Sequence, residues 1–296
     1  MSWPHAEMHV DETLVRDILR DQFPDIADHE CWHIGEGFDN FLWRLGDDLV
    51  VRLPRRAAAV VPMENEIAWL NPLASRLTLR TPAPLRAGSP SERFPWPWLV
   101  GHWIEGIPGD ENDVAADDAA ARAMATFLYE LHGDAPGDAP INPWRSVPLA
   151  ERSADGERRI WELGGEVNID ETLGLWQRAC AAPPWSLAPR WIHGDFHPGN
   201  MIFQEAELVG IVDFGDLCAG DPATDLAGGL LTLPFAHLDT FFSTYGTLDK
   251  ATTWRTIGWA LLFGLMMVSL GLTERSSYLE VGRRGLRNVA ALAESL

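Results

Sequence analysis

The sequence predicts an α+β chain of two unequal lobes: a small N-terminal one with an antiparallel sheet and one main helix, and a larger, mostly helical C-terminal one. Three observations predict it. Short apolar runs punctuated by turn residues crowd into positions 31–53, the pattern of hairpin-linked strands. From position 113 onward apolar residues recur mainly at helical spacing. One stretch of that second part breaks the pattern: positions 191–203 and 209–216 are apolar, strand-like runs set around polar loops. The expected division is 1–100 for the first lobe, 101–106 for a link and 107–296 for the second lobe.

The elements follow in order. Asp11 is placed to cap a helix with Leu14, Val15, Ile18 and Leu19 on one face and Pro24 just beyond its end. Strands are expected at 31–34, 41–45 and 49–53, with Gly46-Asp47-Asp48 turning between the last two. Gly35-Glu36-Gly37-Phe38-Asp39-Asn40 joins the first two; such a segment is either a structural hairpin turn or a loop whose backbone N–H groups approach phosphates. Its place upstream of a strand with a basic residue and of the 191–216 loops favours the second. Pro62 suits a helix start, continued by Glu64, Glu66, Trp69, Leu70 and Leu73, and the Thr81-Pro82-Ala83-Pro84 run breaks that helix. Positions 96–106 read as an apolar strand ending in a glycine-flanked link, in which His102 is a linker residue because no second metal ligand stands near it.

In the second part, an Ala-rich helix is expected over 113–131, with Val114, Ala121, Ala125, Leu128 and Leu131 on its face. A Gly/Pro/Asp loop follows over 133–140, then helices with loops over 141–188. Trp144, Trp161, Trp176 and Trp185 in that region belong to the core or stack on a substrate, with the core favoured by their large apolar surface. Helices are expected over 225–233, 238–245, 252–272 and 276–296. The apolar run 257–272 is shorter than the roughly 20 residues of a membrane span, so it reads as a buried helix.

Composition narrows the partners. With 46% hydrophobic and 22% charged residues the chain is globular. A net charge of −20 argues against nucleic acid or an anionic membrane as partner and suits a cationic small molecule. Cys31, Cys180 and Cys218 lack metal-ligand spacing, and the first 21 residues hold no apolar targeting core, so a reducing cytoplasm is expected. Lys250 is the single lysine; every other basic chain carries a guanidinium or an imidazole.

The polar loops carry the chemistry. Asp195 and Asn200 have the D-x-x-x-x-N spacing of a kinase catalytic loop, and Asp213-Phe214-Gly215 reads as a metal-binding D-F-G. A carboxylate is needed there to orient a hydroxyl and accept its proton, and an amide oxygen with a second carboxylate suits Mg²⁺. His193 and His197 form an H-x-x-x-H pair, but Pro198-Gly199 forbids the helix that a zinc site of this spacing wants, so His193 is expected to brace the loop.

His193-Gly194-Asp195-Phe196-His197-Pro198-Gly199-Asn200 resembles the H-G-D-x-H-x-x-N loop of the aminoglycoside and macrolide phosphotransferases, antibiotic-modifying enzymes with a protein-kinase-like fold. Protein kinases carry Arg after the loop His; this chain has Gly194, as the antibiotic kinases do. Asp213-Phe214-Gly215-Asp216, Gly220-Asp221-Pro222 and Asp225-Leu226 continue the similarity, which is strong over 190–226, moderate over 32–105 and weak elsewhere.

The resemblance implies a bilobal protein-kinase-like fold and transfer of the γ-phosphoryl group of ATP or GTP, with Mg²⁺, to a hydroxyl of a cationic macrolide or aminoglycoside. Asp195 would be the catalytic carboxylate, and Asn200 and Asp213 would hold the metal. Arg52 stands where the phosphate-binding lysine is expected, with Arg55 and Arg56 as alternatives. Glu66 would pair with it, with Glu64 as rival. Gly35, Gly37 and Asn40 would cover the phosphates, and the backbone at Gly101, His102 and Trp103 would meet the base. Residues 141–188 would build part of the substrate cleft. A metabolic small-molecule kinase of the same fold, or a nucleotide-binding pseudokinase marked by Arg52, stands as the alternative.

Overall fold

The computed structural model describes residues 5–111 and 116–296. Its N-terminal part is a five-stranded antiparallel sheet of β1 (Cys31–Glu36), β2 (Asn40–Leu45), β3 (Leu49–Pro54), β4 (Pro84–Gly88) and β5 (Trp98–His102), in the order β1-β2-β3-β5-β4. α1 (Glu12–Gln22) begins where Asp11 accepts a hydrogen bond from the Leu14 N–H at 2.8 Å. It lays Val15, Ile18 and Leu19 on one sheet face, against Phe41, Trp43, Val51, Leu53 and Trp98. Side chains alternate along a strand, so Arg52, between Val51 and Leu53, points to the opposite face. That face is covered by α2 (Val60–Ala74), and β3 is therefore buried at every position.

Two boundaries differ from expectation. α2 starts ahead of Pro62, which sits in its first turn, where a missing N–H removes no intrahelical bond. The helix also stops at Ala74, well short of the proline run; Pro84 instead opens β4, a strand that the Pro-rich composition concealed. Strand pairing with β5 supplies what local propensity does not.

The C-terminal part is mostly helical. It comprises β6 (Ile107–Pro108), α3 (Asp118–Leu131), α4 (Ser153–Glu162), α5 (Ile169–Cys180), β7 (Arg190–Ile192), β8 (Met201–Gln204), β9 (Glu207–Ile211), β10 (Cys218–Gly220), α6 (Ala223–Thr232), α7 (Leu238–Tyr245), α8 (Lys250–Thr273) and α9 (Ser277–Glu294). The start expected for α3 at Asp113, with Val114, lies outside the described residues; Asp117 caps the helix that is seen. α8 is long and apolar enough to cross a membrane by length and composition, but 72% of its most apolar window is buried against neighbouring helices. Of the four tryptophans in 141–188, only Trp176 is a core residue; Trp144 and Trp161 are exposed on the helical part and Trp185 is half-buried.

Candidate active site

Two short pairings build the site. β7 runs antiparallel to β10 (Ile192 opposite Cys218), and β8 runs antiparallel to β9 (Met201 opposite Ile211). The segments between them, 193–200 and 212–217, therefore lie side by side. Val212 N–H donates to Asn200 O at 2.9 Å, and His193 Nε2 lies 3.1 Å from Val212 O. His193 Nδ1 accepts from the Asp195 N–H at 3.3 Å, which leaves Nε2 to carry the proton toward Val212. His193 is thus a brace between the two segments.

The backbone of the first loop hangs on a carboxylate 32 residues away in sequence. Asp225, fully buried in α6, accepts from His193 N at 2.6 Å and Gly194 N at 2.8 Å, and His132 Nε2 lies 3.1 Å from it. Gly194 has φ +81°, and a Cβ there would lie 2.6 Å from Asp216 O. A side chain is excluded twice, by conformation and by the second loop. Phe196 and Phe214 are buried and pack on Phe127 of α3, which fixes the depth of both loops.

This frame brings Asp195 and Asn200 together. Asn200 Nδ2 donates to Asp195 O at 2.9 Å and to its Oδ2 at 3.2 Å. His197 Nδ1 accepts from Gly199 N–H at 3.0 Å, so its Nε2 proton faces Asp195 Oδ2 at 3.2 Å. Arg145 Nη2 reaches Asp195 Oδ1 at 3.2 Å. Burial alone would raise the Asp195 carboxyl, but His197, then Arg145 and His193, outweigh it and hold it well below the usual carboxylate range. The group is an anion at neutral pH.

Asp213 sits at φ +62°, an uncommon left-handed position for a residue with a side chain, and its carboxylate is 49% exposed. Arg52 spans Asp213 and Glu66: Nη2 lies 3.7 Å from Asp213 Oδ1, and Nη1 is paired directly with Glu66 Oε1. Burial pushes the Glu66 carboxyl up, and Arg52 opposes that without cancelling it. Burial likewise works against the charge of Arg52, but Glu66 and Asp213 more than compensate, so the guanidinium stays charged. Glu64, the rival, faces solvent. The alternatives to Arg52 are engaged elsewhere: Arg55 donates to Gly37 O at 3.0 Å and pairs with Glu36 at 2.7 Å, while Arg56 pairs with Asp39 at 2.6 Å. Both brace the Gly35–Asn40 hairpin, which Gly37 N–H closes on Asn40 O at 2.8 Å.

The link residues are placed differently. Gly101 and His102 lie inside β5, opposite Val50 and Leu49 of β3. The Trp103 N–H is committed to Asp48 O at 2.7 Å, and its indole lies under Arg44 with Nε1 bonded to Glu105. That N–H is therefore not available to a base.

The donor set suits Mg²⁺. Asn200 spends its amide N–H groups on Asp195, so its Oδ1 accepts from no protein donor among the described residues, and Asp213 offers a half-exposed carboxylate. One amide oxygen and one carboxylate, completed by substrate phosphates, is the ligation this hard cation takes in phosphoryl-transfer sites.

Sequence reasoning missed Arg145 and Asn142. Asn142 Nδ2 donates to Asp216 Oδ1 at 2.9 Å, and Arg145 Nε donates to Asp216 Oδ2 at 3.1 Å. Both lie in an irregular segment 50 or more residues upstream, with no spacing that ties them to the loops. Burial, with the charges of Asp195 and Asp213, raises the Asp216 carboxyl in spite of Arg145.

Comparison with known proteins agrees with this architecture. Residues 33–259 match the phosphotransferase enzyme family, and the chain belongs to that family. Viomycin phosphotransferase of Streptomyces vinaceus is 30% identical over 202 residues, 62% of this chain and 67% of that protein. Among solved structures, the GDP complex of wild-type aminoglycoside 2'-phosphotransferase-IIIa superposes with a TM-score of 0.68 at 20% identity, covering 95% of this chain and 99% of that one. The macrolide 2'-phosphotransferase of Brachybacterium faecium does so with a TM-score of 0.59 at 18% identity, covering 91% and 97%. The α+β kinase-like fold expected from the sequence is the one found.

Proposed function

We propose that this chain is an antibiotic O-phosphotransferase, moving the γ-phosphoryl group of ATP or GTP to a hydroxyl of a cationic antibiotic. The observation that carries the reading is the Asp195 carboxylate, held ionised by Arg145, His197 and Asn200, and 35% exposed. Such a group accepts a hydrogen bond from an incoming hydroxyl and orients its oxygen. Its low basicity is tolerable because the proton leaves late in a loose phosphoryl-transfer transition state.

Asn200 Oδ1 and Asp213 are the residues that would hold Mg²⁺, which when bound neutralises charge on the β- and γ-phosphates. Arg52, fixed by Glu66 through Nη1, would turn its second arm to the α/β-phosphates in place of a lysine. The Gly35–Asn40 hairpin, stiffened by Arg55 and Arg56, covers the phosphates. Residues 1–100 would form the nucleotide lobe and 101–106 the hinge. The acidic character of the chain, net charge −20, favours a cationic acceptor. The relatives named above are phosphotransferases of viomycin, aminoglycosides and macrolides, which supports an antibiotic acceptor over an ordinary metabolite. The cytoplasm, with its nucleotide pools and reducing conditions for the free Cys31, Cys180 and Cys218, is the proposed location.

The test is phosphate transfer from labelled ATP and GTP to a panel of viomycin-type peptides, aminoglycosides and macrolides. Product from at least one acceptor, lost by several orders of magnitude in Asp195→Ala, is the expected result. Nucleotide binding without transfer to any of them would overturn the reading.

A further inference from the structure

The geometry points to Arg145 as a positioning residue that sets the angle of the Asp195 carboxylate, an inference that rests on the phosphotransferase reading above. Asp195, Asp213 and Asp216 all enter one small site. Arg145 is the guanidinium that touches two of them: Nη2 lies 3.2 Å from Asp195 Oδ1 and 3.1 Å from Asp216 Oδ2, and Nε lies 3.1 Å from Asp216 Oδ2. It is only 8% exposed, and its Cζ sits 4.9 Å from the ring centroid of Phe263 in α8. The planar fork is thus backed by an aromatic face and filled by carboxylates in front, an arrangement an ammonium group does not reproduce.

The segment that carries Arg145 is itself pinned. Asn142 Oδ1 accepts from Trp144 N at 2.8 Å and Arg145 N at 3.2 Å, Ser146 Oγ accepts from Asn142 N at 2.9 Å, and Ala219 N donates to Pro140 O at 2.9 Å. The Asn142 amide reaches the same Asp216 carboxylate from the other side. One oxygen of Asp195 is therefore fixed by Arg145 and the other by His197 and Asn200. With Arg145 gone, one oxygen loses its stop, and Asp195 and Asp216 face each other without their shared counter-charge. The hydroxyl acceptor would still enter, but against a carboxylate that no longer holds its angle, so the defect falls on kcat rather than on KM.

The experiment measures steady-state transfer by wild type, Arg145→Lys and Arg145→Met with the nucleotide and acceptor that the wild type uses. Arg145→Met is expected to lower kcat by about 100-fold with both KM values within about threefold, and Arg145→Lys to recover part of the loss. If kcat of both variants stays within about threefold of wild type, or if the loss lies in KM, the proposal is overturned. Should Arg145→Met not fold, Arg145→Lys decides alone, with a kcat about tenfold down at unchanged KM as the supporting result. A wild type that phosphorylates nothing removes the functional reading only. The Arg145–Asp195 contact is then judged by thermal unfolding of Arg145→Met, Asp195→Asn and the double variant: a double-variant Tm loss smaller than the sum of the singles supports it, and additive losses overturn it.

Discussion

Arg52 of β3 and Glu66 of α2 form a buried ion pair, and the second arm of the same guanidinium reaches Asp213 at 3.7 Å. One side chain thus connects the sheet, the helix that covers it and the second loop of the site. Glu66 is fully buried and its Oε2 has no partner among the described residues, so it depends on Arg52 alone. Arg52→Met should destabilise the fold by about 3–5 kcal/mol, because it strands a buried carboxylate. The double variant Arg52→Met/Glu66→Leu should regain much of that loss, and urea unfolding of the three proteins checks it.

Asp225 carries the first loop through two backbone N–H groups. Asp225→Ala leaves both donors buried and unpaired, at about 1–3 kcal/mol each. Stability should fall by several kcal/mol, and transfer activity should fall with it, although Asp225 touches neither Asp195 nor Asp213 in any hydrogen bond among the described residues. Asp225→Asn presents an amide N–H to one of those donors and should rescue little. Melting temperature and activity, measured side by side, test the assignment.

Gly194→Ala forces a Cβ into a left-handed position 2.6 Å from Asp216 O. The expected cost exceeds about 1 kcal/mol. The two loops must also separate, so the variant should lose activity even at temperatures where it remains folded. Circular dichroism melts, with activity read well below the transition, separate the two effects.

Asp195 gives a pH signature. Its folded pKa lies below its unfolded value, so its ionised form contributes stability that is complete above the unfolded pKa, about 3.9, and is lost as pH falls toward the folded pKa. Wild type should therefore lose more stability than Asp195→Asn when urea midpoints at pH 5 and pH 3 are compared. Equal losses would show that the carboxylate is not held by charge.

The elements legible in the sequence are those with a local signature. Asp11 announces α1, the Gly46-Asp47-Asp48 turn announces the β2–β3 hairpin, and Asp195, Asn200 and Asp213 lie within 19 residues of one another in a pattern of fixed spacing. β4 was hidden because Pro84 at its start and Pro82 just before it argue against a strand, and only pairing with β5 makes it one. The choice of Glu66 over Glu64 needed the helix phase, which turns one inward and the other to water. Arg145 carried no signal, since its meaning comes from the tertiary approach of a loop whose own sequence is unremarkable in pattern. The hydrogen bond from the Trp103 N–H to Asp48, made where the β2–β3 turn meets the link, likewise carried no local signal.

The arginine in β3 has a chemical corollary. Acyl-phosphate and sulfonyl-fluoride nucleotide analogues acylate or sulfonylate amines beside bound phosphates. In the proposed nucleotide site they would meet the Arg52 guanidinium, and the one side-chain amine of the polypeptide, Lys250, is exposed at the first residue of α8. Probes of that kind should pass over the proposed nucleotide site while tagging Lys250, whereas arginine-directed dicarbonyl reagents should find Arg52 shielded by Glu66 and protected further by nucleotide.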